Sequence, residues 1–209
     1  MTDIQISHLY KDYPDKPVLT DFSARIPQGK TTCLMGPSGI GKTTLLRILM
    51  GLEAPDSGTI TGLPAPFSAR RSLRRRNTGQ PHPHMSAVFQ EDRLCGSLNP
   101  ISNIRLANPT LSPEQVKAEM EAIGLTGCFH QPVRELSGGM RRRTAILRAL
   151  LAEYDILFLD EPFRGLDAGT HLLTLNYTKE RCKGRTVLLV THDPREAEKM
   201  EAEQVLLLE

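Results

Sequence analysis

Nothing in this 209-residue sequence approaches the roughly 18 consecutive apolar residues that a bilayer-spanning helix requires. The N-terminal stretch MTDIQISHLYKDY carries polar and charged residues too early for a secretory signal. A soluble chain that stays in the compartment where it is made is therefore expected. Charge of neither sign is in excess: 26 Lys+Arg against 24 Asp+Glu leave a net +2, which argues against a nucleic-acid footprint over the whole domain. There is no CxxC pair. Cys33, Cys95, Cys128 and Cys182 are widely scattered and read as reduced thiols rather than metal ligands or disulfides. Tryptophan is missing, and no internal repeat is found. What remains is ordinary for a globular protein. The length suits one compact domain, or one domain with a small subdomain, and 39% hydrophobic residues suffice for a core.

Short apolar, β-branched runs alternate with helical patterns, which predicts a mainly parallel sheet covered by helices. The clearest strands are Thr31–Met35, Ile156–Leu159, Thr186–Val190 and Val205–Leu208, each a continuous apolar run of the kind buried on both faces. Ile4 and Ile6 alternate with polar neighbours, predicting a half-exposed antiparallel strand near the start. Ser112 can cap a helix that has Pro113 first, Gln115 completing a capping box, Val116, Met120 and Ile123 on one face, and Gly124 at the end. A second helix is expected after Ser137, with Ala145, Leu147 and Ala149–Leu151 supplying apolar contacts. Between Gln90 and Leu136 the strand alternation is interrupted by helical and loop patterns, the best place for an inserted subdomain.

Residues 69–76 read ARRSLRRR. Contact with acidic lipid or nucleic acid is the sharper interpretation of this patch. A solvated loop between strands is the simpler one, and it is preferred because the patch is short and lacks aromatic neighbours. His82 and His84 follow without a nearby acid or thiol and read as surface residues rather than a metal site.

The strongest local signal is GPSGIGKTT: Gly36, Pro37, Ser38, Gly39, Ile40, Gly41, Lys42, Thr43 and Thr44. It follows a predicted strand and precedes a helix carrying Leu45, Leu46, Ile48 and Leu49, the setting a phosphate-binding loop requires. Glycines allow the tight turn that aims successive N–H groups at one anion, and the helix N-terminus adds unpaired donors. Lys42 would neutralise the β- and γ-phosphates of a nucleotide, and the Thr43 hydroxyl would ligate Mg²⁺. ILFLDEP, residues 156–162, supplies the acids. A buried strand ending in Asp160 sets a carboxylate at the sheet's C-terminal edge, suited to organising Mg²⁺, and Glu161 would polarise the attacking water. An acidic pair that merely caps a strand is the plainer alternative, and it weakens beside a phosphate loop.

With both motifs placed, LSGGM (residues 136–140), about twenty residues before Asp160, decides the resemblance: the chain resembles the ATP-binding cassette, or ABC, ATPases over essentially its whole length. The resemblance implies an α/β P-loop NTPase fold. Its parts would be a mainly parallel core sheet, an N-terminal antiparallel β part and an inserted α-helical signature subdomain at 91–150, all within one ATPase domain over 1–209. It implies ATP and Mg²⁺ as ligands. Ser137, Gly138 and Gly139, opening a helix, would form a second anion site that closes over a partner's ATP in a head-to-tail homodimer. Gln90 in AVFQEDR resembles the glutamine that reaches Mg²⁺ and the attacking water, and His192 in LLVTHDP resembles the γ-phosphate switch histidine. Tyr13 resembles the aromatic that stacks on adenine, with Tyr10 a weaker rival. Gly165–Leu166–Asp167 resembles the loop joining two sites across the dimer.

The sequence departs from the family where Arg164 and Gly165 stand at positions commonly held by smaller residues or Ala and Ser. His171–Gly184 looks short for the usual helix, and no C-terminal regulatory domain is expected after the VLLL strand. FQEDRL, LSGGMRRR, LDEPF and LLVTHDPREA are most similar to importer ATPases of the nitrate, sulfonate, taurine and thiamine-precursor type. That resemblance implies an ATPase subunit, cytoplasmic and peripheral on the inner face of the cell membrane. It would drive solute import through a separate integral permease, with a solute-binding protein in the same system and no nucleic acid. The alternatives are an exporter or lipoprotein-extraction ATPase and a soluble ABC ATPase acting on DNA or ribosomes. A non-hydrolysing regulatory cassette is disfavoured by intact Lys42, Asp160, Glu161 and His192.

Overall fold

The computed structural model describes residues 2–14, 16–63 and 84–208. The Arg-rich run 69–76 and His82 lie outside the described residues. Along the described chain the strands are β1 (Ile4–Tyr13), β2 (Lys16–Ile26), β3 (Thr31–Met35), β4 (Ser57–Thr61), β5 (Met85–Val88), β6 (Ile156–Asp160), β7 (Thr186–Val190) and β8 (Gln204–Leu207). The helices are α1 (Lys42–Leu49), α2 (Pro100–Arg105), α3 (Pro113–Ala122), α4 (Gly138–Leu150), α5 (Ala168–Cys182) and α6 (Pro194–Lys199).

Two sheets result. A five-stranded sheet runs β5-β6-β7-β3-β8 with parallel pairings throughout, and an antiparallel sheet runs β2-β1-β4. The continuous apolar runs of β6 and β7 are explained by cover on both faces. Leu157, Leu159, Val187 and Leu189 join one core cluster with residues of α2 to α5, whereas Ile156, Phe158, Leu188 and Val190 join the other with α1, β1 and β2. Period-two alternation thus sends neighbouring side chains to different cores. Fully burying a side chain such as Phe158 stabilises by roughly 1.5–3 kcal/mol.

The helix starts follow local chemistry. The Ser112 hydroxyl accepts from Gln115 N at 3.2 Å while the Gln115 side chain accepts from Ser112 N at 2.7 Å, the reciprocal capping box. Ser137 caps α4 by accepting from Met140 N at 3.3 Å. Two expectations need correction. The helix over His171–Gly184 is not short, because Asp167 accepts from Thr170 N at 3.0 Å and starts α5 at Ala168, three residues before His171. The last strand is not buried on both faces. Among the described residues β8 pairs only with β3, and Val205 and Leu207 stay 48% and 64% exposed because an edge strand has one neighbour and open outer positions. The four cysteines are free; Cys95 is exposed and the others buried, with burial pushing the Cys33 and Cys182 thiols up to about 12. His84 is exposed, as expected of a surface residue, and its backbone N–H donates to the Asp155 carboxylate at 2.8 Å.

Candidate active site

Three strands end at one edge of the parallel sheet. β3 runs into the Gly36–Thr44 turn, β6 ends at Asp160, and β7 leads to His192. This is the carboxyl edge where open α/β sheets bind ligands. β7 lies between the other two, so its Val190 carbonyl accepts from Glu161 N at 2.9 Å while Thr191 N donates to the Leu34 carbonyl at 3.4 Å.

The turn itself depends on glycine at two places. Gly41 has φ 114°, and a Cβ there would lie 2.5 Å from Val18 Cγ1; Gly36, at φ 152°, has Leu208 O only 2.6 Å from a would-be Cβ. Lys42 folds back over the turn, donating to the carbonyls of Gly36 at 2.7 Å and Pro37 at 2.8 Å. Of its three donors, two hold the turn, and the ammonium lies beside the N-terminus of α1 where a phosphate would sit.

Around it is a cleft of about 290 Å³ lined by Tyr13, Val18, Ser38, Gly39, Gly41, Lys42, Thr43, Thr44, Gln90, Asp160 and Glu161. Thr43 Oγ1 donates to Asp160 Oδ2 at 2.9 Å, joining α1 to β6 across 117 residues of sequence. Asp160 is 3% exposed. Burial pushes its carboxyl above the ordinary value and Glu161 adds to this, while the Thr43 hydroxyl, Arg142 and Lys42 pull the other way. A hydroxyl with lone pairs still open and a carboxylate are oxygen donors, the set that fits a hard cation such as Mg²⁺. Glu161 sits at φ 47°, a left-handed conformation uncommon for a residue with a side chain, which turns the chain sharply out of β6. Arg164 Nη1 donates to Glu161 Oε2 at 3.2 Å, so the residue that departs from the family pattern touches the proposed base.

The predicted residues divide into two groups. Tyr13, Ser38, Gly39, Gly41, Lys42, Thr43, Thr44, Gln90, Asp160 and Glu161 come together at the cleft. Tyr13, whose hydroxyl donates to Glu53 at 2.5 Å, lines it and Tyr10 does not. Gly36, Pro37 and Ile40 shape the turn from outside the lining, Ile40 packing on the core. His192 is 71% exposed and its Nδ1 lies 3.8 Å from Glu161 Oε1, beyond hydrogen-bond reach. Ser137, Gly138, Gly139 and Asp167 are not at this cleft. Asp167 caps α5, and that backbone contact from Thr170 holds its carboxyl below the ordinary value. Sequence reasoning passed over Val18, Glu53 and, above all, Arg142. The signal for Arg142 existed: it falls on the same helical face as Ala145, Ile146 and Ala149, which are buried.

A glycine-rich turn at the head of α1, tied to a carboxylate two strands away, makes this chain a P-loop NTPase. Residues 19–164 match the sequence model of the family described as ABC transporter. The taurine import ATP-binding protein TauB of Yersinia pestis bv. Antiqua (strain Antiqua) is 36% identical over 98% of this chain and 79% of its own length. That of Escherichia coli O157:H7 shows the same identity and coverage. The Nod factor export ATP-binding protein I of Cupriavidus pinatubonensis is 34% identical over 94% of this chain and 61% of its own length. The chain belongs to the ABC transporter family.

Proposed function

We propose that this chain binds MgATP at the Lys42 turn and hydrolyses it to drive solute import through a separate membrane permease. One observation carries the chemistry: Thr43 Oγ1 and Asp160 Oδ2, from the two phosphate-handling motifs, meet at 2.9 Å in a cleft that also holds Lys42, Gln90 and Glu161. Membership of the ABC transporter family and the similarity to taurine import ATP-binding proteins support the transport role and the direction. Small sulfonate solutes such as taurine are the first substrate class to test.

Each residue then takes a role. Tyr13 stacks on the base, the backbone of Gly36 to Thr44 wraps the phosphates, and Lys42 neutralises their β- and γ-charge. Thr43 and Asp160, with Gln90, hold Mg²⁺, which when bound offsets charge on the phosphate oxygens. Glu161 orients and deprotonates the attacking water, and His192 contacts the γ-phosphate. Ser137, Gly138 and Gly139 close over the ATP of a second copy, and Asp167 lies at the seam of that dimer. Residues 91–150 act as a helical subdomain that receives the permease. The assembly works on the inner face of the membrane, and a solute-binding protein belongs to the same system.

Substituting Glu161→Gln should leave ATP affinity in place and lower turnover by about 10²- to 10⁴-fold, the range for losing a general base. Lys42→Ala should instead weaken ATP binding at least roughly tenfold, as expected for a charge-assisted contact to phosphate. Equilibrium ATP binding and steady-state phosphate release separate the two. Near-normal hydrolysis by the Gln variant would remove Glu161 from the base role. Pull-down from native membranes with no multi-span permease attached would sink the transport assignment.

A further inference from the structure

Arg142 lies in the first half of α4, is 5% exposed, and directs its whole guanidinium at the segments bearing Gln90, Asp160 and Glu161. Nε donates to the Pro162 carbonyl at 2.8 Å, and Nη2 donates to the carbonyls of Asp160 at 2.9 Å and Glu161 at 2.7 Å. Nη1 donates to the Phe89 carbonyl at 2.5 Å and to the Asp92 carboxylate at 3.2 Å, with the Gln90 carbonyl at 3.5 Å. Three consecutive carbonyls leave the sheet at the turn where Glu161 has φ 47°, and one planar fork donates to all three. A lysine ammonium, a point charge with three donors, cannot span the same set. Further along the same helix, Arg148 donates to the carbonyls of Arg93 at 2.8 Å and Asp92 at 3.1 Å, holding the other end of the Gln90 loop. The helix that Ser137, Gly138 and Gly139 open is thereby tied to both the loop of Gln90 and the turn of Glu161.

We propose that Arg142 is a positioning residue for hydrolysis, setting the Gln90 loop and the Asp160–Glu161 turn in register with α4. The inference rests on the ATPase reading above and adds the device that links the helix start to the hydrolytic pair. It acts on catalysis more than on affinity, because Lys42, Thr43 and Tyr13 make none of its contacts and it reaches Asp160 and Gln90 through their backbone carbonyls, leaving their side chains free for the nucleotide's Mg²⁺.

The test compares the full chain with Arg142→Lys and Arg142→Gln, measuring MgATP affinity, kcat, KM and thermal stability. ATP affinity and KM should stay within about twofold, while kcat falls by about 10²-fold in Arg142→Gln, the cost of small misplacement at a reacting centre. Arg142→Lys, which keeps the buried charge beside Asp92, should fall between that variant and wild type. It carries the test if the Gln variant fails to fold. Unchanged kcat in folded variants would overturn the proposal, and so would a parallel loss of affinity, kcat and melting temperature, which marks a purely structural anchor. A wild-type chain with no Mg²⁺-dependent hydrolysis would instead overturn the ATPase reading itself.

Discussion

Asp160 shows how charge and burial are set against each other at the level of single residues. Its carboxyl is buried and held above its ordinary value, chiefly by burial, despite Thr43, Arg142 and Lys42 nearby. A carboxyl with a raised folded value binds its proton more tightly in the folded chain than in the unfolded one. Above the unfolded value the ionised group therefore opposes folding, and the penalty is relieved as pH falls through the folded value. Asp160→Asn keeps an acceptor for the Thr43 hydroxyl and removes the buried charge. At neutral pH it should raise the melting temperature of the nucleotide-free chain, with the difference from wild type shrinking in acid. It should also lose the additional stabilisation that MgATP confers on wild type, since ligand binding to the folded state alone raises stability by mass action. Thermal melts with and without MgATP across pH decide this; a less stable Asn variant at neutral pH would contradict it.

Elements whose ends carry their own chemistry were legible in the sequence, and those defined by a neighbour were not. α3 was readable from Ser112, Pro113 and Gln115, and the capping box is formed. Ser112→Ala should cost about 1 kcal/mol, measured as a shift in denaturant midpoint with unchanged slope. β3 and β7 were readable because burial on both faces forces continuous apolar runs. β5, only Met85–Val88 and mostly half-buried, is defined by its ladder with β6 rather than by pattern. β2 has polar residues at many positions because it is an edge of its sheet. The start of α5 is hidden because Asp167 belongs to the Gly165–Leu166–Asp167 loop pattern and caps the helix at the same time.

For the whole molecule, the notable arrangement is that Ser137, Gly138 and Gly139 lie away from the cleft that Lys42 and Glu161 share. A second phosphate-suited helix start that does not serve its own cleft fits a head-to-tail pair of chains. Glu161→Gln, which should hold ATP without consuming it, is expected to shift to dimer mass in MgATP by light scattering and return to monomer when nucleotide is removed. Adding Ser137→Glu, which sets a negative charge where the partner's γ-phosphate would lie, should abolish the dimer and leave the chain binding ATP only with the weaker affinity of the monomer. A dimer that ignores both nucleotide and Ser137→Glu would count against the shared-site arrangement.

The sequence alone determined the phosphate turn, the acidic strand end, the capped helices and the buried parallel strands. Each of these is specified within a few residues, by a glycine that must turn, a hydroxyl that must cap, or an apolar run that must be covered. Tertiary structure alone decided what those pieces do together. The contact of Thr43 with Asp160 crosses 117 positions. Tyr13 rather than Tyr10 faces the cleft, and one arginine of three in a row, Arg142, is drawn into the interior by carbonyls from two distant segments. Contacts of that kind depend on the order of strands in the sheet, where β7 separates the two motif-bearing strands, and strand order leaves no mark on local sequence.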